Sequence, residues 1–440
     1  IISTLMKSIK LKIIFIAIYS IIICQNPDNL RFKNSTILDV PDLSFSENVY
    51  SGLDILDQMD FKILKNKTII VLTNHSAINK GGKHLLDLLK PYPSIKVKAI
   101  LELEHGLWGI DDKRNKLIGR ERIDPVHGAR IIDLFEKYVY PPKWVFRDAD
   151  ILIADFQDTG SRYTTYLTTL SKVFESASDN KVKVVILDRP NPIRGDVIDG
   201  PIPRAEFQSY ESYHLLPIRH GMTLGEISIL INEMGWIKDL KRVDLTVVPL
   251  SNWKRDMWFH KSSLEWKKPI PYIKDEMTLL AYNGMDLFRG TNLNMGFGTN
   301  KPYLINGAPW LEINYLLDKV NKLELKGVRF KPINYRPRGT LNSKRIPKYD
   351  GLSCSGIEIM ITNQDEFNPI ITATSIMLLI HQLHPRQFKW EADGYIDKLF
   401  GSDILRVIAS QNKKPDQLHP HWYKDVSTFI DFRKSYLLYE

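Results

Sequence analysis

Short runs of apolar residues alternate with stretches of helical periodicity between about residues 50 and 250. Five apolar runs are predicted as strands, at residues 67–72, 97–103, 151–154, 182–187 and 244–249. Helical patterns are predicted at residues 84–89, 166–178 and 224–234. This alternation is typical of βαβ units, and nearly continuous apolar strands are typical of a sheet covered on both faces. The pattern therefore predicts an α/β fold with a Rossmann-like parallel sheet.

Beyond residue 250 the pattern changes and predicts a second, smaller C-terminal α/β domain. Residues 251–274 carry three Trp and two Pro without a clean period, so we interpret them as a boundary segment. Apolar runs follow at 327–331 and 356–362, and then a long apolar helix at 369–384. The predicted organisation is a signal peptide (1–24), a linker (25–48), a Rossmann-like domain (49–260) and a C-terminal α/β domain (261–440).

The first 24 residues are predicted to direct export. Three lysines precede an apolar run over residues 13–24, an order typical of a secretory signal peptide. The run is shorter than the roughly 20 residues that span a bilayer, and the alternative is an ordinary buried segment. Cys24 is a candidate for lipid attachment, although Ile23 stands where a small residue is usual. We therefore expect an exported protein, either periplasmic or an outer-membrane lipoprotein anchored at Cys24.

Charge, cysteine content and missing motifs narrow the classes of partner. The 440 residues include 60 Lys plus Arg and 51 Asp plus Glu, a net charge of +9 that falls to +6 without the first 24 residues. No basic block has interleaved aromatic residues, so we expect no nucleic-acid partner. Cys354 is the one cysteine after Cys24, which excludes an internal disulfide and a cysteine-based zinc site. Dinucleotide, Walker, HExxH and GxSxG motifs are absent, and we predict no cofactor and no metal.

Four polar clusters follow apolar runs, and we expect them to meet at one edge of the sheet. They are TNHS at 73–76, EHG at 104–106, DFQD at 155–158 and DRPNP at 188–192. The strands of an open parallel sheet point the same way, and ligands bind outside their carboxyl ends. The sequence therefore predicts a binding crevice built from these four loops.

Glu104 is the candidate general acid of this crevice. It follows an apolar run, and Gly106 lets the backbone turn tightly beside it. Apolar surroundings disfavour the charged form of a carboxyl group, which suits proton donation. The alternative is a glutamate that caps its own loop by accepting backbone N–H groups.

The loop after residues 151–154 combines acids, an amide and aromatic groups, a set that suits a sugar site. Its candidate residues are Asp155, Gln157, Asp158, Arg162, Tyr163 and Tyr166. Two structural alternatives remain open. Asp158 is a candidate N-cap of the helix that follows, and Arg162 is a candidate ion-pair partner of Asp158.

Two further stretches carry groups suited to an anion or an amide. Asp188, Arg189 and Asn191 lie in a loop that two prolines hold rigid, and the alternative is an internal Asp188–Arg189 ion pair. Arg219 and His220 precede a helix N-terminus, where an anionic ligand group is favoured. The alternative for His220 is a buried structural histidine.

Together these strings resemble the NamZ/YbbC-like exo-β-N-acetylmuramidase family over about residues 50–440. The strings that carry the resemblance are LTNHS, LEHGLWG, DFQDTGSRYTTY, ILDRPNPIRGD, PIRHGMTLGE, LTVVPLSNWKRDMWF, GTNLNMGFGT, GAPW and FRKSYLLY. The resemblance implies a Rossmann-like domain and a smaller C-terminal α/β domain with the active site between them. It also implies a glycoside hydrolase that releases N-acetylmuramic acid from the non-reducing end of peptidoglycan fragments, which become the expected partners.

The resemblance assigns roles to the candidates above. Glu104 becomes the general acid or acid/base, and Asp155, Asp158 or Asp188 becomes the second group. The expected substrate-binding residues are Asn74, His105, Gln157, Arg162, Tyr163, Tyr166, Arg189, Asn191, Arg219, His220 and Asn292. Arg189 or Arg219 would suit the lactyl carboxylate of the sugar. Retaining, inverting and substrate-assisted mechanisms all remain open, because carboxylate separation decides between the first two.

Several positions depart from the family pattern, among them residues 275–278 and the stretch after Asp124 and Pro125. Arg289 and Phe297 stand where the family usually has an acid and an arginine. The substrate preference is therefore open, and two other functions remain as alternatives. One is a non-catalytic muropeptide-binding protein, and the other is a hydrolase of a different amino sugar.

Overall fold

A computed structural model describes residues 32–43, 46–109, 122–135, 137–339 and 346–440. The predicted signal peptide and residues 25–31 of the predicted linker lie outside these ranges. Within the described ranges, none of the helices combines the length and apolar character needed to cross a membrane.

An eight-stranded sheet forms the centre of the first domain. Its strands are β1 (Ser35–Ile37), β2 (Thr68–Thr73), β3 (Lys96–Glu102), β4 (Arg122–Ile123), β5 (Arg130–Asp133), β6 (Ile151–Asp155), β7 (Lys183–Leu187) and β8 (Leu245–Val248). Their order is β1-β8-β7-β6-β2-β3-β5-β4, and every neighbouring pair is parallel except β4 with β5. The predicted parallel sheet is therefore confirmed.

Helices cover both faces of this sheet, because alternate residues of each strand point to opposite sides. The helices are α1 (Gly52–Gln58), α2 (Leu85–Leu89), α3 (Thr165–Asn180) and α4 (Leu224–Met234). Ile70 and Leu72 of β2 pack in one core with α3 and α4. Ile69 and Val71 pack in a second core with α1 and α2. The result is a three-layer α/β arrangement.

A second domain follows, with its own small sheet and a cluster of helices. Its strands, β9 (Ile305–Ala308), β10 (Val328–Tyr335) and β11 (Cys354–Ile361), form an antiparallel sheet in the order β10-β11-β9. Its helices are α5 (Glu276–Met285), α6 (Ile313–Asn321), α7 (Pro369–Leu383), α8 (Tyr395–Phe400), α9 (Ile404–Ser410) and α10 (Pro420–Arg433). Its core also takes in Tyr163, Ile193 and Ile218 of the first domain, so the two domains are packed together.

The C-terminal end of the chain returns to the first domain. Phe429 of α10 and Tyr436 pack into the core that contains α3 and α4. The backbone N–H of Leu438 donates to Glu226 of α4 at 2.8 Å, and the Glu440 carbonyl accepts from the Arg255 N–H at 2.8 Å. The last residues of the chain therefore complete the first domain.

One part of the predicted linker is not a linker. Ser35–Ile37 pair in parallel with Leu245–Val247 as the edge strand β1. The Glu233 carboxylate accepts hydrogen bonds from the backbone N–H groups of Lys33 (3.0 Å) and Asn34 (2.9 Å). The polar composition of this segment conceals a strand because three residues are too few to show an apolar pattern.

Candidate active site

The turn after β3 presents Glu104 above the edge of the sheet. The Gly106 N–H donates to the Leu103 carbonyl at 2.9 Å, and both His105 and Gly106 have φ of +73°. The buried Glu102 carboxylate accepts the Leu107 N–H at 2.8 Å, which closes the turn. The tight turn predicted at Gly106 is therefore present, and His105 adopts a left-handed conformation that is unusual for a residue with a side chain.

The Glu104 carboxylate lies beside the first turn of α3. The Thr165 hydroxyl donates to Glu104 Oε2 at 2.7 Å, and His105 Nε2 lies 4.0 Å from Glu104 Oε1. Only 13% of the Glu104 side chain is exposed. Thr165 is the first residue of a sixteen-residue helix, whose N-terminus favours a negative charge. The fold therefore holds this carboxylate in a defined position.

Glu104 lines a narrow cavity between the two domains. From the first domain the lining residues are Glu104, His105, Tyr163, Thr164, Thr165, Tyr166 and Glu211. The opposite wall is formed by Ile270, Tyr272, Tyr282, Asp286, Arg289 and Tyr303. Four predicted site residues therefore meet here: Glu104, His105, Tyr163 and Tyr166.

Phenol groups give this cavity hydrogen-bond donors and flat apolar surfaces. The rings of Tyr163, Tyr282 and Tyr303 form successive edge-on contacts, with centroid distances of 6.1 and 5.1 Å. Burial raises the pKa of Tyr163 and of Tyr282 well above the ordinary value of 10, so both phenols keep their protons. Within the described residues the Tyr163 hydroxyl has no hydrogen-bond partner, so it is available to a ligand.

Three charged groups of the cavity lining, Asp286, Arg289 and Glu211, are bonded to one another. Arg289 donates from Nε and Nη2 to Asp286 Oδ2, at 2.9 and 2.5 Å, and its Nη1 donates to Glu211. The Arg289 Nη1 also donates to the Tyr395 hydroxyl at 2.8 Å. Two carboxylates on one guanidinium leave this cluster with an excess of negative charge. The arginine that departs from the family pattern is therefore a half-buried link between two acids of the cavity lining.

Asp155 and Asp158 are not among the residues that line this cavity. Both oxygens of the buried Asp155 accept from Arg189, at 2.5 and 2.9 Å. Asp158 accepts the Gly160 N–H at 2.8 Å and lies 3.3 Å from His220 Nε2. The N-cap of α3 is Thr164, so the alternative role of Asp158 as a helix cap is wrong.

Asp188, the third candidate for the second catalytic group, binds the start of α4 instead, where Thr223 is the N-cap. It accepts from the Thr223 hydroxyl (2.8 Å), the Gly225 N–H (2.7 Å) and the Tyr439 hydroxyl (2.6 Å). Burial raises its pKa to about 7 and outweighs these donors, which favour the charged form. The alternative Asp188–Arg189 ion pair is wrong, since the Arg189 side chain binds Asp155.

Arg162 joins the two domains and does not reach the cavity. Its guanidinium donates to four backbone carbonyls, those of Pro201 (2.5 Å), Leu216 (2.8 Å), Leu399 (2.7 Å) and Phe400 (3.1 Å). Burial lowers its pKa to about 10. The alternative pairing of Arg162 with Asp158 is therefore wrong.

Most of the other predicted binding residues also bond to the protein itself. Gln157 donates to the carbonyls of Asp158 and Pro190, and Asn191 donates to that of Met222. Arg219 donates to the Ile193 carbonyl and lies over the Trp258 ring, 5.9 Å from its centroid. The Asn74 side chain accepts the Ser76 N–H, and His220 accepts the Met222 N–H. The Asn292 side chain donates to the Gln387 carbonyl and accepts the Lys389 N–H.

Most of the opposite wall, together with Glu211 of the first domain, was not predicted from the sequence. Glu211, Tyr282, Asp286 and Tyr303 do not directly follow a parallel strand, so the rule that located Glu104 does not apply to them. Phe297, another departure from the family pattern, packs behind the wall against Tyr272 and Tyr303, with ring centroids 4.7 and 5.4 Å apart. Within the described ranges no three His, Cys, Asp or Glu side chains are grouped to hold a metal ion.

Comparison with known proteins identifies the family. The N-terminal and C-terminal domain models of the exo-β-N-acetylmuramidase NamZ match residues 69–277 and 280–439. The chain is 33% identical to the peptidoglycan β-N-acetylmuramidase NamZ of Bacillus subtilis (strain 168), over 89% of this chain and 91% of that protein. Two crystal structures of DUF1343 family proteins from Bacteroides fragilis NCTC 9343 share the fold. The first has a TM-score of 0.81 and 26% identity, and the match covers 90% of this chain and 100% of that one. The second has a TM-score of 0.70 and 28% identity, and the match covers 89% of this chain and 99% of that one. The chain belongs to the NamZ exo-β-N-acetylmuramidase family, as its sequence strings indicated.

Proposed function

We propose that this protein is an exo-acting glycoside hydrolase that releases N-acetylmuramic acid from the non-reducing end of peptidoglycan fragments. The observation that carries the proposal is the Glu104 carboxylate, which the Thr165 hydroxyl holds at the wall of the cavity between the domains. Membership of the NamZ family and the named activity of the Bacillus subtilis relative support it.

The cavity contains the groups that such a reaction requires. Glycoside hydrolysis commonly uses one carboxylic acid to protonate the leaving oxygen and a second carboxylate to activate water or attack the sugar. Glu104 supplies the first group. Asp286 and Glu211 line the same cavity and are the candidates for the second, in place of the buried Asp155, Asp158 and Asp188.

The test is hydrolysis of a chromogenic β-N-acetylmuramide by the purified protein. We expect turnover by the unmodified chain and a decrease in kcat of about a thousandfold in Glu104→Gln, within the range for loss of an acid/base group. Glu324→Gln, an exposed acid outside the cavity, is the matched control and keeps full activity.

The two alternative functions give different outcomes in the same assay. Tight binding of the muramide without turnover by the unmodified chain would identify a muropeptide-binding protein. Activity on a β-N-acetylglucosaminide in place of the muramide would identify a hydrolase of another amino sugar.

We also propose that the protein is exported and that Cys24 carries a lipid. The three lysines and the apolar run over residues 13–24 support export, as does a substrate class located in the cell wall. Cell fractionation and labelling with an alkyne-bearing palmitate test this. We expect label on the unmodified chain and none on Cys24→Ala, and a soluble, unlabelled unmodified chain would contradict the anchor.

A further inference from the structure

The cavity that contains Glu104 is too small for a sugar as it stands. Its volume is about 30 Å³, close to the share of one water molecule in the liquid. Sites that enclose a drug-sized ligand measure about 300–1,000 Å³. Beside the cavity lies a groove of about 680 Å³ that is open to solvent. The structure therefore combines an open groove with an adjoining site that is closed to any ligand much larger than water.

Three side chains join the domains where the groove meets the cavity. Glu211 of the first domain and Arg289 of the second line both spaces. Arg289 Nη1 donates to Glu211 Oε1, and the Tyr395 hydroxyl donates to Glu211 Oε2 at 2.9 Å. Arg289 Nη1 also donates to this hydroxyl at 2.8 Å. We call Glu211, Arg289 and Tyr395 the interdomain link, and two of its three members form the partition between groove and cavity.

The interdomain link can open through rotation of side chains. The exposed fractions of the Arg289 and Glu211 side chains are 15% and 21%, so water reaches both groups. When Glu211 separates, Arg289 keeps its two bonds to Asp286, which lies three residues earlier in the same turn. Opening therefore leaves the guanidinium paired and the Glu211 carboxylate in contact with water, and neither becomes an unpaired buried charge.

Separation of the whole domains would be a costlier way to open the cavity. The buried Arg162 side chain donates to carbonyls of both domains, among them those of Leu216 and Leu399. Breaking these bonds would leave a buried guanidinium without acceptors, which is strongly destabilising. The contacts therefore favour local opening at the interdomain link.

We propose that the interdomain link is a closed gate between the groove and the cavity that contains Glu104. A ligand larger than water passes from the groove to Glu104 after the Arg289–Glu211 pair separates. Arg289 stands where the family usually has an acid, and an acid would repel Glu211, so the gate distinguishes this chain from the family pattern. The proposal concerns access to the site and does not depend on the reaction that occurs there.

The test measures access to the cavity with a thiol reagent and needs no turnover. Ile270→Cys places a thiol in the cavity wall, at a position where the native side chain is 7% exposed. The reagent is N-ethylmaleimide, which is uncharged and far larger than water. The native Cys354 is buried in β11 and reports loosening of the second domain, because peptide mass spectrometry reads the two labels separately.

We expect slow labelling of Ile270→Cys while the interdomain link is intact. Addition of Arg289→Met speeds labelling about tenfold and addition of Tyr395→Phe about threefold, in keeping with the loss of an ion pair or of hydrogen bonds. Tyr395→Phe keeps the guanidinium and its charge. Arg386→Met and Tyr315→Phe change exposed side chains outside both spaces, so these matched controls leave the rate unchanged.

Salt gives a second measurement of the same gate. The screening length falls from about 10 Å at 0.1 M salt to about 3 Å at 1 M, which weakens a partly exposed ion pair. We expect higher salt to speed labelling of Ile270→Cys and to leave the rate unchanged once Arg289→Met is added. Because the reagent is uncharged, salt does not alter its approach to the protein.

Three results would overturn the gate. The first is fast labelling of Ile270→Cys with the interdomain link intact, and the second is labelling that stays slow with Arg289→Met and Tyr395→Phe. The third is faster labelling of Cys354 in parallel with position 270, which would assign the effect to loosening of the whole domain. Absence of hydrolysis together with the expected labelling rates would contradict the proposed hydrolase and leave the gate supported.

Discussion

The edge of the parallel sheet and the wall of the second domain both carry charged side chains, but these side chains have different partners. At the sheet edge, Asp155 binds Arg189 and Asp158 faces His220, all of them buried. Between the domains, Asp286 and Arg289 pair with each other and still line the cavity. Both regions are charged and enclosed, yet of the two only the second lines the cavity that contains Glu104.

This difference shows that polar loops that meet at one edge of a parallel sheet can bind one another and leave few groups for a ligand. Loops after neighbouring strands lie close enough to satisfy one another, and buried polar groups need such partners. Their charged pairs therefore set the shape of the edge. Glu104 differs from these residues in that it lines the cavity. The turn at His105 and Gly106 places it beside α3 and the second domain.

The largest expected effect is a loss of folding stability when a charged pair at the sheet edge is broken. Asp155→Asn leaves the buried Arg189 without its charge partner, and loss of one member of a buried pair costs about 3–5 kcal/mol. Urea denaturation measures the free energy of unfolding. Asp318→Asn, which breaks an exposed pair with Lys322, is the matched control, and we expect a much smaller loss. Equal losses in both variants would contradict a structural role for Asp155.

The second prediction concerns pH at the sheet edge. The folded protein raises the pKa of Asp188 from 3.8 to about 7, so the folded state binds more protons than the unfolded state in this window. Stability therefore decreases as pH rises from about 4 to about 7, by up to about 4 kcal/mol from this group. Asp188→Asn removes this contribution. Thermal melts at half-unit pH steps should show a flatter profile for Asp188→Asn, and parallel profiles would show that Asp188 is not the cause.

The smallest expected effect is on the rate of hydrolysis and concerns the acids bound to Arg289. Asp286→Asn removes a candidate for the second carboxylate, and we expect kcat on the chromogenic muramide to decrease about a hundredfold, roughly 2.7 kcal/mol. Glu211→Gln tests the other candidate in the same assay. An unchanged kcat in both variants would remove these acids from the reaction and favour participation of the substrate's own N-acetyl group.

Much of the first domain follows from sequence, because buried parallel strands leave a strong local pattern. All five predicted strands and the helix over Leu224–Met234 are present, with ends shifted by at most about one residue. The short strand β1 exists only through its pairing with β8, and no local pattern marks it. The convergence of the four loops was likewise predictable, since it follows from strand direction alone.

The site was predictable only in part, because side-chain direction depends on partners distant in the chain. Asp155 and Arg189 are 34 residues apart, and no rule based on sequence spacing predicts that they pair. Arg162 bonds to Leu399 and Phe400, more than 230 residues away, and this docking brings the second wall to Glu104. Tyr282, Asp286 and Tyr303 enter the cavity through the packing of two domains, which local patterns do not encode.

The return of the C-terminal residues to the first domain has a consequence for biosynthesis. Tyr439 donates its hydroxyl to Asp188, and Leu438 bonds to Glu226, both near the start of α4. A chain that emerges from the ribosome N-terminus first therefore cannot complete this domain until residues 438 and 439 have emerged. Until then α4 and the loop at Asp188 lack these contacts, so the first domain stays incompletely packed while the second domain is being made.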